Sequence, residues 1–208
     1  MPSNDPRFSS PGRPKMKGGP LGGHPAQGQR PHEVGERGGK VSPGRRIQVR
    51  RSGVHGKGVF ALQDIAEGEA VIEYKGQVIS WEESQERHPH DPANPNHTFF
   101  FQIDGERVID GGDRGNAARW INHSCEPNCY AEERDGRIFI TALRNIGAGE
   151  ELNYDYGLIV EERYTKRLKA EYACFCGNPG CRGTMLAPKR GWRPIEPTRK
   201  PARKGGRA

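Results

Sequence analysis

Three cysteines lie close together near the C-terminus (Cys174, Cys176 and Cys181), and Cys125 lies 49 residues upstream of the first of them. Structural zinc sites take four ligands in a tetrahedron, and all four can be thiolates. The C-terminal loop supplies three sulfurs, and either Cys125 or Cys129 can supply the fourth. Reduced thiols without a metal are the alternative. We expect about one zinc per chain, joining two distant parts of the sequence.

A polar pair, Asn122-His123, precedes Cys125 in an otherwise apolar frame. If the pair is buried, its side chains need hydrogen-bond partners, and a satisfied structural pair is the simpler outcome. Closing the zinc site would press this pair against the C-terminal segment. A pocket made in that way is a candidate site for a small molecule.

Two further features could line such a pocket. Gly56-Lys57-Gly58 would let backbone amides approach a ligand closely, because neither glycine has a Cβ atom. The full phosphate-binding pattern Gly-x4-Gly-Lys-Ser/Thr is missing there. Tyr154 and Tyr156 are two residues apart, so on a strand both face the same side. They are either packing residues or the wall of an active site.

Composition divides the chain into a middle and two tails. Residues 1–46 contain ten Gly and eight Pro and almost no large apolar side chains, and residues 187–208 are similar in kind. Such segments cannot bury enough surface to offset their ordering entropy, so we expect both tails to be disordered. Residues 47–186 hold nearly all the large apolar side chains and are long enough for a core.

Charge follows the same division. Residues 1–46 carry a net charge of +6 and residues 187–208 carry +7. The whole chain carries +7, so the middle carries −6. Basic tails predict weak, salt-sensitive contact with nucleic acid, although solvated tails without a partner are equally compatible. The acidic middle predicts a cationic substrate or partner.

No apolar run approaches the length of a membrane span, and no signal peptide begins the chain. We therefore expect an intracellular protein without a membrane partner. The corresponding location is the cytoplasm for a bacterial source, and the nucleus or chromosome for a eukaryotic source or for action on a host. Clustered cysteines in a reducing compartment are more often metal ligands than disulfides.

The pattern of secondary structure predicts a β-rich domain with few helices. The predicted elements are strands at 46–51, 59–62 and 69–74, a helix starting at Ser80, a loop at 88–97, a hairpin over 98–109 turning at Asp104-Gly105, helical turns at 116–121, a hairpin over 129–143 turning at Asp135-Gly136, and a helix over 161–172.

Four motifs in order, together with the cysteine-rich end, resemble the SET-domain protein lysine methyltransferases that carry a post-SET zinc segment. The motifs are HGKGVFA (His55–Ala61), EYKG (Glu73–Gly76), NAARWINHSCEPNC (Asn116–Cys129) and GEELNYDY (Gly149–Tyr156). The resemblance covers residues 46–186. The residues around Asn122 are most similar to those of the branch that methylates lysine 4 of histone H3. The family's cysteine-rich segment before the SET domain has no counterpart ahead of residue 46.

The resemblance implies a mainly β fold of small curved sheets, called the SET or β-clip fold, with few short helices. It implies a pseudoknot in which the segment of Tyr156 packs beneath Asn122-His123, followed by a C-terminal zinc loop. It also implies four domains: a basic tail at 1–45, the SET domain at 46–157, a helix with the post-SET zinc segment at 158–186, and a basic tail at 187–208. Cys125 matches the family's fourth zinc ligand, rather than Cys129.

The family's methyl donor, S-adenosyl-L-methionine, would lie against a set of residues on several elements. The implied donor-binding residues are Gly56, Lys57, Gly58, Arg119, Asn122, His123, Tyr156, Phe175 and Leu186. The implied zinc ligands are Cys125, Cys174, Cys176 and Cys181. Zinc would be structural.

Three tyrosines match the family's substrate channel. Tyr156 matches the catalytic tyrosine, Tyr74 a channel tyrosine, and Tyr154 the position that limits the degree of methylation. A tyrosine at that position is typical of enzymes that stop at one or two methyl groups. A narrow aromatic channel would favour the neutral amine of the substrate lysine and align it with the donor.

The sequence thus predicts a protein-lysine N-methyltransferase that acts on a basic substrate, such as a histone tail or another Lys/Arg-rich protein. The first alternative is a module of SET shape that binds the donor or a peptide without turnover. The second is a zinc-stabilised nucleic-acid adapter that acts through its tails. The sequence of the insert at 80–97 gives no readable substrate specificity.

Overall fold

The computed structural model describes residues 44–87, 98–193 and 195. Strands dominate this part of the chain, as predicted. The strands are β1 (Ile47–Arg51), β2 (Lys57–Ala61), β3 (Ala70–Tyr74), β4 (Gln77–Ser80), β5 (Phe100–Gln102), β6 (Arg107–Asp110), β7 (Asn122–His123), β8 (Cys129–Arg134), β9 (Arg137–Ala142) and β10 (Glu151–Tyr154). The helices are α1 (Trp81–Arg87), a 3₁₀ helix (Ala117–Trp120) and α2 (Lys166–Glu171).

The strands form two curled sheets. The larger has the order β1-β2-β10-β8-β9-β3, with β7 added beside β10, and the smaller has the order β4-β6-β5. Most neighbours are antiparallel, but β10 pairs in parallel with both β7 and β8. Parallel strands cannot be joined by a tight hairpin and need a longer crossover connection. The chain therefore crosses back before β10, which lies beside strands that precede it in the sequence.

That return positions the residues of interest. Tyr154 of β10 is paired with His123 of β7 and with Cys129 of β8. Beyond the strand, the backbone N–H of Ser124 donates to the Tyr154 carbonyl at 3.1 Å. The Tyr156 segment therefore lies beside Asn122-His123, which is the contact that the predicted pseudoknot requires.

Both predicted hairpins are present. Asp135 and Gly136 have φ of 53° and 73°, the two positive values of a type I′ turn, whose twist matches that of the flanking strands. At the other hairpin, Asp104 Oδ1 accepts hydrogen bonds from the backbone N–H groups of Glu106 and Arg107, at 2.9 and 2.7 Å. Short polar side chains thus fix the registers of β8/β9 and β5/β6 locally.

Capping residues set the helix starts. Ser80 Oγ accepts a hydrogen bond from the Glu83 N–H at 3.1 Å, and α1 begins at the next residue. The Asn116 side chain caps the 3₁₀ helix in the same way. Both starts confirm the predictions.

The predicted helix over 161–172 was wrong in length, because α2 spans only Lys166–Glu171. Thr165 caps its start by accepting a hydrogen bond from Leu168 N–H. Upstream, the carbonyls of Glu161 and Glu162 accept hydrogen bonds from Lys189 Nζ, both at 2.6 Å. The Thr165 N–H donates to the Arg163 carbonyl, two residues back, at 2.8 Å, whereas an α-helix bonds to the fourth residue back. The chain before α2 is therefore not α-helical.

The core lies beneath the larger sheet. Its fully buried side chains include Val59, Ile121, Ile140, Leu152 and Leu158. A smaller cluster of Ile79, Phe100 and Val108 supports the second sheet. None of the described helices has the length and hydropathy needed to cross a lipid bilayer. The loop predicted at 88–97 lies outside the described residues, and so does most of both tails. In the described parts of the tails, the Arg46 carbonyl accepts from Leu62 N–H and the Ala187 N–H donates to the Leu158 carbonyl, both at 2.8 Å, so the predicted disorder does not extend to these two residues.

Candidate functional site

A cavity of about 280 Å³ lies where β7, the loop before β2 and the C-terminal segment meet. We call it the Asn-His cavity. It is lined by Val54, His55, Gly56, Lys57, Thr98, Phe99, Arg119, Trp120, Asn122, His123, Tyr156, Ala173, Cys174, Phe175 and Met185. Its volume is close to the lower end of the range for small-molecule sites. The C-terminal segment forms one wall, as expected for a pocket closed by the cysteine-rich end.

Most of the residues predicted to bind the donor meet in this cavity. Those that line it are Gly56, Lys57, Arg119, Asn122, His123, Tyr156 and Phe175. Gly58 and Leu186 lie outside this set. Gly58 belongs to β2, where a Cβ atom would collide with the Glu151 side chain. Leu186 is 2% exposed and pairs with Leu158 in the core, while its neighbour Met185 lines the cavity.

An aromatic and cationic cluster at the cavity wall was not predicted. The rings of Phe99 and Trp120 meet edge to face at 4.9 Å. Lys57 Nζ lies 4.4 Å from the centre of the Trp120 ring, and the Arg119 guanidinium lies 5.5 Å from the Phe99 ring. Trp120 lies within the Asn116–Cys129 motif, and this location could have indicated that its ring lies at the site.

Asn122 holds the loop of Gly56 against β10. Its Nδ2 group donates to Glu151 Oε1 at 2.7 Å and to the Lys57 carbonyl at 3.0 Å. The other carboxylate oxygen, Oε2, accepts from Ser52 Oγ at 2.9 Å. The amide thus fixes the approach of the glycine loop to the cavity.

His123 is buried between the cavity and the cysteines. Its Nδ1 atom accepts a hydrogen bond from the Tyr156 N–H at 3.1 Å, and its Nε2 atom lies 3.4 Å from Cys125 Sγ. Burial lowers the pKa of His123 to about 4, although the nearby Asp155 carboxylate opposes the shift. The ring is therefore neutral near pH 7. Since Nδ1 accepts, the ring proton is assigned to Nε2.

The predicted channel tyrosines form one aromatic wall with Phe101. Ring centres lie 5.0 Å apart for Tyr154 and Tyr156, 6.3 Å for Phe101 and Tyr154, and 5.3 Å for Tyr74 and Phe101. Such separations are typical of tilted aromatic contacts. Tyr74 is 1% exposed, contacts Phe101 and does not line the Asn-His cavity.

The hydroxyl groups of the three tyrosines differ in their partners. Tyr156 Oη donates to the Ile121 carbonyl at 2.8 Å, and Tyr74 Oη donates to the Phe99 carbonyl at 2.8 Å. Tyr154 Oη is buried and has no hydrogen-bond partner among the described residues. Burial raises the pKa of all three phenols, so each stays protonated near neutral pH.

A second cavity, of about 190 Å³, lies behind the aromatic wall. We call it the Trp192 cavity. It is lined by Phe101, Gln102, Ile103, Cys129, Tyr130, Ala131, Glu133, Ile138, Tyr154, Asp155, Tyr156, Trp192 and Ile195. Tyr156 lines both cavities, so one tyrosine stands between them.

The four predicted zinc ligands come together. The Sγ atoms of Cys125, Cys174, Cys176 and Cys181 all lie within 4.8 Å of one another. Those of Cys125 and Cys174 are 3.7 Å apart, close to the separation of about 3.8 Å that follows from tetrahedral zinc–sulfur bonds. Cys129 is fully buried in β8 and stands outside this group. The donor set fits one tetrahedral zinc ion.

Hydrogen bonds support the sulfurs and attach the C-terminal segment. The backbone N–H of Arg182 donates to Cys125 Sγ, and that of Gly183 donates to Cys181 Sγ, both at 3.4 Å. N–H donors of this kind stabilise thiolate charge. The Arg182 guanidinium also forms a bidentate pair with Asp155, at 2.7 and 2.9 Å.

The comparisons with known proteins agree with this geometry. The family model described as SET domain matches residues 56–157. Histone-lysine N-methyltransferase trithorax of Drosophila virilis is 41% identical over 140 residues, which are 65% of this chain and 4% of that protein.

Two other relatives give similar figures. Histone-lysine N-methyltransferase SETD1 of Drosophila melanogaster is 38% identical over 146 residues, 68% of this chain and 8% of that protein. A histone-lysine N-methyltransferase of Debaryomyces hansenii, named as H3 lysine-4 specific, is 38% identical over 144 residues, 67% of this chain and 13% of that protein. The chain thus spans only a small part of the curated relatives it matches.

Proposed function

This chain is a SET-domain protein, and from that premise we propose that it transfers methyl groups from S-adenosyl-L-methionine to lysine side chains of a protein. One observation carries the proposal: Tyr156 lines both the Asn-His cavity and the Trp192 cavity. A donor in the first cavity and a lysine entering from the second would meet at its hydroxyl group.

The Asn-His cavity suits the donor, whose contribution is an electrophilic methyl group on a positively charged sulfur. The carbonyl and amide groups of Gly56 and Lys57, held by Asn122, would bind its polar parts. The rings of Phe175 and Trp120 offer apolar surface to its base. Gly58 and Leu186, which lie off the cavity wall, would act through backbone position or packing.

Tyr156 is suited to orient the methyl group rather than to act as a base. Its hydrogen atom is engaged by the Ile121 carbonyl, which leaves the oxygen lone pairs to face developing positive charge. Its raised pKa disfavours a phenolate. The substrate amine would therefore lose its proton to solvent before it reaches the aromatic wall. The apolar surroundings there favour the neutral form of the amine.

We propose a product carrying one or two methyl groups. The buried Tyr154 hydroxyl occupies space beside Tyr156, and a more highly methylated amine needs that space. Tyr74 would support this wall from behind through Phe101.

The cysteine cluster would hold a structural zinc ion. With four thiolates it leaves no open position for substrate or water, unlike a catalytic site. Its role would be to keep Cys174 and Phe175 on the wall of the Asn-His cavity. We propose domain boundaries that place the SET domain at 46–157 and the post-SET segment at 158–186.

The proposed substrate is a Lys/Arg-rich protein, with a histone tail as the leading candidate, because the named relatives are histone-lysine N-methyltransferases and the middle of this chain is acidic. Action at chromatin, in the nucleus or on a chromosome, follows from that substrate. The basic tails would add salt-sensitive contact with nucleic acid.

The test is a methyl-transfer assay with labelled donor, the full chain and recombinant histones, read by mass spectrometry for site and degree. Tyr156→Phe removes only the hydroxyl group, so we expect at least a hundredfold loss of rate. Tyr172→Phe is the matched control, since Tyr172 is buried but lines neither cavity. Donor binding without turnover by the wild-type chain would favour the binding-module alternative.

A further inference from the structure

Trp192 lies against the backbone beside the catalytic wall. Gly157 directly follows Tyr156 and has a φ of 60°, and a Cβ atom at Gly157 would collide with the indole of Trp192. The indole therefore occupies the space that the missing side chain leaves. This contact lies at the end of the matched SET region, whereas Trp192 lies well beyond it.

Specific contacts lead the C-terminal segment to this position. The Ala187 N–H donates to the Leu158 carbonyl at 2.8 Å. Lys189 Nζ then bonds to the carbonyls of Glu161 and Glu162 and lies 4.9 Å from the centre of the Tyr164 ring. The segment is thus attached along residues 158–164 before it reaches Gly157, so the placement of Trp192 is built into the fold.

The Trp192 cavity combines an aromatic face with one carboxylate that forms no ion pair within the described part of the chain. Trp192 is partly exposed there, and Ile195 is 38% exposed. Of the two acidic residues that line the cavity, Asp155 is paired with Arg182. Glu133 is exposed, and among the described residues its carboxylate accepts one hydrogen bond, from Gly136 N–H at 2.9 Å.

We propose that Trp192 and Glu133 are specificity-determining residues that select a substrate with arginine beside the methylated lysine. The proposal rests on the proposed function, because it takes the Trp192 cavity as the site of lysine entry. A guanidinium can stack on an indole face while it bonds to a carboxylate, and a lysine or an aliphatic side chain matches that combination less well. A cavity of about 190 Å³ is small enough for one arginine side chain to reach both groups.

The test measures binding of two lysine peptides to the full, zinc-loaded chain by fluorescence anisotropy. The peptides are identical except that both neighbours of the lysine are arginine in one and norleucine in the other. We expect the wild-type chain to bind the arginine peptide about tenfold more tightly. Trp192→Ala and Glu133→Gln should each reduce that preference to about threefold or less, while Trp192→Phe keeps most of it.

Glu106→Gln is the matched control for the carboxylate, because Glu106 is exposed and lines neither cavity. Affinity for S-adenosylmethionine should stay within about twofold in every variant. An unchanged arginine preference in Trp192→Ala, no preference in the wild-type chain, or a parallel loss of donor affinity would each overturn the proposal. Peptide binding without methyl transfer would defeat the proposed function, but the arginine preference would still decide this proposal.

Discussion

The Nδ1 atom of His123 accepts a hydrogen bond of 3.1 Å from the backbone N–H of Tyr156. Because the ring is neutral, its proton lies on Nε2, which faces Cys125 Sγ at 3.4 Å. One buried imidazole therefore connects the cysteine cluster to the backbone of the proposed catalytic tyrosine. Zinc and the reacting centre would be coupled through this ring, although zinc itself takes no part in the chemistry.

His123→Ala should reduce methyl transfer strongly without removing zinc. The substitution leaves the buried Tyr156 N–H without an acceptor, which costs about 1–3 kcal/mol and loosens the tyrosine. All four thiolates remain, so metal analysis should still find about one zinc per chain.

His123→Asn is the matched variant, since its side-chain oxygen can take the place of Nδ1. It should recover part of the methyl-transfer activity. If both variants lose zinc together with activity, the coupling runs through metal binding and not through Tyr156.

Tyr154→Phe should raise the share of di- and trimethylated product. The Tyr154 hydroxyl group is buried without a hydrogen-bond partner among the described residues, so its removal frees space and breaks no bond. The free energy of unfolding should change by less than about 0.5 kcal/mol. Mass spectrometry of the methylated peptide gives the product distribution, and Tyr172→Phe serves as the control. An unchanged distribution would contradict the proposed role of this hydroxyl group.

The features predicted best from the sequence are those fixed by neighbouring residues, such as turns and helix starts. Asp135-Gly136 and Asp104-Gly105 set the hairpins because short polar and glycine residues adopt the required turn conformations with little help from elsewhere. The start of α1 followed from Ser80 and Glu83 for the same reason. The spacing of Cys174, Cys176 and Cys181 on one short loop predicted three of the zinc ligands. The fourth, Cys125 rather than Cys129, came from the resemblance and not from geometry.

Contacts between distant segments were not predictable in the same way. The segment just before α2 contacts Lys189, whose Nζ bonds to carbonyls 28 and 27 residues earlier in the chain. The contact between Trp192 and Gly157 is not predicted by any periodic pattern in the sequence. The resemblance identified the segment that closes the Asn-His cavity, but not that Met185 rather than Leu186 faces it. Adjacent residues in an extended segment point to opposite sides.

Cys176→Ser should remove zinc and weaken donor binding, even though Cys176 does not line the Asn-His cavity. Loss of one ligand frees the loop that holds Cys174 and Phe175 on the cavity wall. We expect metal analysis to show loss of zinc and calorimetry to show at least a tenfold weaker affinity for S-adenosylmethionine.

Cys129→Ala is the matched control for the thiol, because Cys129 is buried in β8 and outside the cluster. It should keep zinc and donor affinity. Treatment of the wild-type chain with a chelator should reproduce the Cys176→Ser result. Full donor affinity in a zinc-free chain would show that the cluster does not form the cavity wall.

The bidentate pair between Arg182 and Asp155 should respond asymmetrically to substitution. Asp155 is 5% exposed and Arg182 is 24% exposed at the side chain. Arg182→Met would leave a buried carboxylate beside neutral His123 and should cost about 3 kcal/mol of unfolding free energy. Asp155→Asn should cost less, because the guanidinium can turn toward water. The double variant should be more stable than Arg182→Met alone, since it removes the unpaired buried charge.

Urea unfolding of the zinc-loaded chain measures these differences, with Arg144→Met as the matched control. Arg144 and Glu150 form an exposed pair, so that substitution should cost less than about 1 kcal/mol. Equal costs for Arg182→Met and Asp155→Asn would mean that Asp155 is solvated in solution. The C-terminal segment would then be held against Tyr156 mainly by the cysteine cluster, and chelation alone should release it.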